Sequence, residues 1–97
     1  MDWQVVFSPR SREDLRKIVE YIANDDPMAA ERFGLELIAH AEALASAPYI
    51  GVPMRERPGT RFFPFASYLI IYRADASTQR VRILRFWHGA RRKRPLR

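Results

Sequence analysis

Apolar residues recur along this chain with two periods, and each period marks a different element. Residues 2–7, DWQVVF, are rich in β-formers and stop at Ser8-Pro9, which predicts a short strand running straight into a helix. Ser8 suits the cap and Pro9 the first helical position, where no N–H donor is needed; Ser11, three residues before Asp14, offers a second cap. Leu15, Ile18, Val19 and Ile22 then fall on one helical face, with Glu13, Arg16, Lys17 and Glu20 turned outward. The helix is predicted to end near Asn24, and Asp25-Asp26-Pro27 closes it and opens the next.

The second helix carries Ala30, Phe33, Leu37, Ile38, Ala41, Leu44 and Ala45 on one stripe and must stop before Pro48. The joint is short enough to make the two helices an antiparallel hairpin. Ala30, Gly34 and Ala41 would allow another element to approach closely, or are filler in an alanine-rich helix. From residue 47 to 59, APYIGVPMRERPG reads as loop or irregular edge strand.

Three strands are expected after it, at about 60–65, 67–73 and 79–87. YLIIY is apolar on both faces, as in a central strand covered on each side. RVRIL alternates, Val81 and Ile83 inward and Arg80 and Arg82 outward, until Leu84 and Arg85 break the parity, so a bulge or a covered outer face is expected there. ADASTQ is a short polar turn between antiparallel strands. The string β-α-α-β-β-β predicts an α+β fold, a helical hairpin on one face of a small antiparallel sheet. The other face is then partly open and collects Arg80, Arg82 and either Phe63 or Tyr72.

Composition narrows the class. A chain of 97 residues, 47% hydrophobic, can bury one modest core, which places a single domain over 1–90 and leaves a basic tail at 91–97. The longest apolar stretch, FFPFASYLIIY, is too short to span a bilayer, and MDWQVVFSPR lacks a secretory leader, so a cytoplasmic protein is expected. Without cysteine there is neither a disulfide frame nor a thiolate metal site, and the two histidines show no ligand spacing; no metal or cofactor is expected. Charge changes the picture more. Residues 1–50 carry five Lys/Arg against nine Asp/Glu, whereas residues 51–97 carry twelve against two, eleven of the twelve being arginine. Such an arginine-rich half suits an anionic partner that is gripped through bidentate contacts.

Read together, VVFSPRSREDLRKIVEYI, DPMAAERF, LASAPYIGVPMRERPGTRFFPFASYLIIYR and the closing VRILRFWHGAR resemble the ParE/RelE superfamily of toxins from type II toxin–antitoxin modules. The resemblance covers nearly the whole chain, and the HGAR ending is closer to the ParE branch. It implies a compact α/β toxin held inactive by a ParD-like antitoxin with an acidic C-terminal segment. For the ParE branch it also implies poisoning of DNA gyrase by binding, with blocked replication and broken DNA.

The rival reading is the ribonuclease branch. RNA cleavage without metal needs a base, an acid and cations around the phosphate. Glu56 or His88 would be the base, and Arg61, Arg73 and Arg85 the clamps. RelE-type ribonucleases generally carry a tyrosine, or a His-Tyr pair, near the C-terminus; here none follows Tyr72, and Gly89 follows His88. A third reading is a non-toxic binding module on the same fold.

As a docking surface, the candidate set is Arg61, Phe63, Arg80, Arg82, Arg85, Trp87, His88 and Arg91. Arg61 either grips a partner or pairs with a helix carboxylate. Arg85 shares the inward parity of Val81 and Ile83, so either a bulge frees it or it pairs under cover, since an unpaired buried guanidinium is too costly. Phe86 and Trp87 read as core or rim, His88 as a strand-end packing residue, and His40 as solvent-facing on the second helix. The tail ARRKRPLR reads as a basic arm that could hold nucleic acid without reading its sequence.

Overall fold

The structure is a computed structural model that describes residues 3–89. Strand β1 (Gln4–Phe7) leads into the helices α1 (Pro9–Ala23) and α2 (Pro27–Ala43). A short 3-10 turn, Leu44–Ser46, follows, then β2 (Val52–Pro53), β3 (Thr60–Phe65), β4 (Tyr68–Asp75) and β5 (Arg80–His88). This is the expected α+β string with one added element, the two-residue β2 inside the irregular stretch.

Both helix starts follow the local chemistry. Ser8 caps α1 through its side chain, which accepts from the Ser11 amide, and Asp26 caps α2 by accepting from the Ala29 amide; a proline occupies the first turn of each. Ser11 is not a second cap. It lies within α1, fully buried, and its hydroxyl donates to the Ser8 carbonyl. The two helices approach closely at Gly34, where a Cβ would stand 3.0 Å from Val19 Cγ2, so the small residue there is a packing requirement.

The sheet has five strands in the order β1-β5-β4-β3-β2. It is mixed, not antiparallel throughout: β1 pairs with β5 in parallel, with Val5 opposite Val81 and Phe7 opposite Ile83. The whole helical hairpin and three strands intervene between β1 and β5, so β1 enters the sheet by a crossover and not by a tight turn. The other three pairings are antiparallel.

One face of the sheet carries the core. Ile18 of α1 and Leu37 and Ala41 of α2 pack with Ile70, Tyr72, Val81, Ile83 and Phe86. Phe63 lies opposite Ile70 and belongs to this helix-facing side, half-buried against the core. Tyr72 is also on this side and fully buried, so neither it nor Phe63 is on the open face. On β4, Ile70, Ile71 and Tyr72 are all 0% exposed, which bears out a central strand covered on both sides. The parity break on β5 is a bulge: Tyr72 pairs with Ile83 but Ile71 with Arg85, leaving Leu84 as the extra residue. The bulge returns Phe86 to the helix side.

Residues 44–51 form a strap that closes the core below the helices. Leu44 is buried in the core, and the buried Tyr72 hydroxyl donates to the Pro48 carbonyl at 2.9 Å and accepts from the Gly51 amide at 2.8 Å. Among the described residues no helix is long and apolar enough to cross a membrane.

Candidate docking site

Strand β1 stops at Phe7 because Ser8-Pro9 turns the chain into α1, so β5 runs on past its partner from Leu84 to His88. The first turns of α1 take over that edge. The Ser8 amide donates to the Ile83 carbonyl and the Ser8 hydroxyl to the Leu84 carbonyl, each at 3.0 Å. Asp14, six residues further along, accepts from the Phe86 amide at 3.0 Å. The same carboxylate holds the Arg85 guanidinium in a two-pronged pair, Nε at 2.7 Å and the second nitrogen at 3.1 Å, with both side chains less than 15% exposed.

Beyond this latch, α1 and the end of β5 diverge and leave a groove of about 350 Å³. Lys17 and Tyr21 form one wall, Trp87 and His88 the other, and Ile18 and Phe86 lie at its base. Tyr21 is 75% exposed despite its size. An aromatic row that runs from α2 to β5 reaches the groove at Tyr68 and His88. His40 lies 4.0 Å from Phe65, Phe33 stands 5.8 Å from both Phe65 and Tyr68, and Tyr68 meets the His88 ring edge-on at 5.0 Å. His40 therefore covers Phe65, with its Nδ1 2.8 Å from the Glu36 carbonyl, and is not a bare solvent-facing residue.

The remaining candidates fall into separate places. Arg85 has its partner under cover and lies 5.0 Å from the Trp87 ring centre, so its charge is already engaged. Arg73 and Arg82 sit directly opposite each other on β4 and β5, and Arg80 lies opposite Asp75. Their register puts these arginines on the sheet face away from the helices. Two like charges across a strand pair repel, and an anion bridging them would relieve that. Arg61 pairs with Tyr72 on the opposite, helix-facing side and donates to the Tyr49 and Gly51 carbonyls at 3.1 and 2.8 Å. Its partners are thus strap carbonyls and not a helix carboxylate. Glu56 is exposed on the turn before β3, and Arg91 with the rest of the tail lies outside the described residues.

These positions decide what the site can do. His88 faces Tyr68, and Arg73 is five residues further along β4, roughly 17 Å away at strand spacing. Glu56 belongs to the same distant end, next to the start of β3, and Arg61 is on the other face. Among the described residues Arg85 and His88 line one groove, but Glu56, Arg61 and Arg73 lie elsewhere, so the full candidate set does not meet at one point. Among the described residues no group of three or more acidic or histidine side chains could hold a metal ion. What the geometry offers is a partly apolar groove beside an unfinished strand edge, and an arginine face behind it.

The family profile described as "ParE toxin of type II toxin-antitoxin system, parDE" matches residues 5–93. The chain belongs to that family. A ParE-family chain of this length has relatives named for both branches. It is 32% identical over 91 residues to Toxin RelE1 of Caulobacter vibrioides, covering 92% of this chain and 96% of that protein. The RelBE2 toxin–antitoxin complex of Mycobacterium tuberculosis contains a chain 28% identical, with a TM-score of 0.71 over 91% of this chain and 99% of that one. The chromosomal ParDE system of P. aeruginosa shares the fold, with a TM-score of 0.74 at 18% identity over 89% of this chain and 95% of that one. The protein is therefore a type II toxin of the ParE/RelE superfamily.

Asp14, Lys17, Tyr21 and Tyr68 are site residues that the sequence did not single out. Asp14 carried only a local signal, as a capping partner for Ser11; its contact with Arg85 spans 71 residues and has no sequence signature. Tyr21 had a readable one, a large aromatic off the apolar stripe of α1.

Proposed function

We propose that this toxin acts by binding DNA gyrase and is neutralised by a ParD-like antitoxin whose acidic C-terminal segment orders itself on the arginine-rich half of the molecule. The observation that carries the choice of binding over catalysis is the dispersal of the ribonuclease set. Arg85 is committed to Asp14, and His88 is separated from Glu56 and Arg73 by the length of β4. The matching ParE profile and the Gly89 that follows His88 support the same branch. The groove between α1 and β5, with Trp87 and His88 on its wall, is the docking edge in this reading. The cations of the tail add nonspecific attraction to DNA, in the cytoplasm, with no cofactor.

A ribonuclease reading is favoured by the names of two relatives, RelE1 and the RelBE2 complex. Induction of the protein without antitoxin separates the two. Gyrase poisoning gives double-strand breaks and intact transcripts; new transcript ends, lost in His88→Ala and Arg73→Ala, with unbroken chromosomes would establish cleavage instead. Unimpaired growth on induction would leave only a non-toxic binding module.

A further inference from the structure

Six large apolar side chains stand at least half exposed among the described residues, and three of them fall within the short run 49–52: Tyr49 at 52%, Ile50 at 58% and Val52 at 50%. Loops that expose apolar groups are usually free to bury them. This one is not. The Ile50 amide donates to the Ala47 carbonyl, and Tyr72 ties down Pro48 and Gly51 from beneath. Arg61 holds the Tyr49 and Gly51 carbonyls from the side, its guanidinium 5.2 Å from the Tyr49 ring centre, while Trp3 meets the ring edge-on at 5.8 Å. Even Gly51 has no latitude, because a Cβ there would stand 2.6 Å from the Tyr72 hydroxyl oxygen. Apolar side chains are thus displayed on a backbone already fixed, so a partner pays little ordering entropy to use them.

Charge identifies the partner. Between residues 43 and 74 Glu56 is the only acidic residue, against Arg55, Arg57, Arg61 and Arg73. A second copy of this chain would bring the same cations to the same place and be repelled. Nucleobases gain little from Ile50 and Val52, and the Tyr49 ring already has Arg61 and Trp3 against it. An acidic polypeptide with an aliphatic anchor satisfies both features. The surface is also separate from the groove, four residues along β4 from Tyr68, roughly 13 Å at strand spacing.

We propose that Tyr49, Ile50 and Arg61 form a second docking site, which takes an acidic, aliphatic segment of the antitoxin. This rests on the toxin–antitoxin reading above. The test titrates the product of the adjacent antitoxin frame into the full chain by calorimetry. It compares wild type, the double variant Tyr49→Ser/Ile50→Ser, and the control Met28→Ser/Leu35→Ser, which removes two still more exposed apolar groups from α2. The strap variant is expected to bind on the order of 30-fold more weakly, with the control within about twofold. Amide shifts at 49–52 in labelled wild type, on adding the same antitoxin, give an answer even if the strap variant fails to fold. Tight binding with both variants equal to wild type, and those amides unmoved, overturns the second site and leaves the toxin–antitoxin reading intact. No binding to wild type by the product of either neighbouring frame overturns both. Pelleting of wild type, but not the strap variant, with phosphatidylglycerol vesicles assigns the surface to lipid and overturns the proposal.

Discussion

Removing one carboxylate, Asp14→Ala, should do more damage than any other single change on the surface of α1. Asp14 is 14% exposed and serves two groups on β5, the Arg85 guanidinium and the Phe86 amide. Deleting it leaves a charged fork and a backbone N–H without acceptors at a strand edge that β1 does not reach. Hydrogen bonds involving a charged group are worth about 1.5–3 kcal/mol, and orphaning one partner costs its desolvation as well. Arg85 recovers part of this through its remaining exposure and its contact with Trp87, so we expect a net loss of about 3 kcal/mol. With a urea slope of about 1 kcal/mol/M for a chain this small, the unfolding midpoint should fall by about 3 M. Asp14→Asn retains an acceptor for Phe86 and should lose about half as much. Arg85→Met combined with Asp14→Ala should cost less than the two single changes added together, by about 2 kcal/mol, because the double variant no longer strands the guanidinium. Urea unfolding followed by tryptophan fluorescence measures the four variants against wild type. A midpoint for Asp14→Ala within about 0.5 M of wild type, at the noise of such measurements, would show that the latch does not hold β5.

Further consequences follow from the strap, the hairpin and the open face. Tyr72→Phe strands the Pro48 carbonyl and the Gly51 amide and should lower stability by about 2 kcal/mol in the same unfolding assay. Burial pushes the Tyr72 phenol above its ordinary value. The folded state therefore keeps a proton that the unfolded chain releases near pH 10, and stability should fall as pH rises from there, less steeply in Tyr72→Phe. Ala66 sits at φ 54° in the β3–β4 turn, so Ala66→Gly should stabilise by about 1 kcal/mol, read as a higher melting temperature. Arg82→Thr removes one of two facing cations and should raise the unfolding midpoint at low salt, the gain vanishing by about 0.5 M salt as screening takes over.

The pattern of apolar positions carried most of the fold and little of the site. Strand, helical hairpin and three later strands were legible because Ser8-Pro9, Asp26-Pro27 and the stripes of α1 and α2 are local signals. The break at Leu84 and Arg85 marked the bulge for the same reason. Parallel pairing of β1 with β5 was not legible, since it joins residues about 76 apart with no turn between them. The same holds for Tyr72, whose apolar-looking strand hides a hydroxyl that anchors a strap 21 to 24 residues upstream. Arginine richness announced an anionic partner but not how the arginines are used: Arg61 and Arg85 are occupied within the molecule, and Arg73 donates to the Pro58 carbonyl at 3.5 Å while facing Arg82 across the strand pair.

The central claim, a toxin that works by gripping gyrase, is tested most directly by plasmid supercoiling with purified gyrase and ATP. Stoichiometric toxin should leave the relaxed plasmid relaxed and produce linear DNA, while messenger RNA in a parallel translation extract stays whole. Normal supercoiling at large toxin excess, with transcripts cut in the extract, would contradict the account.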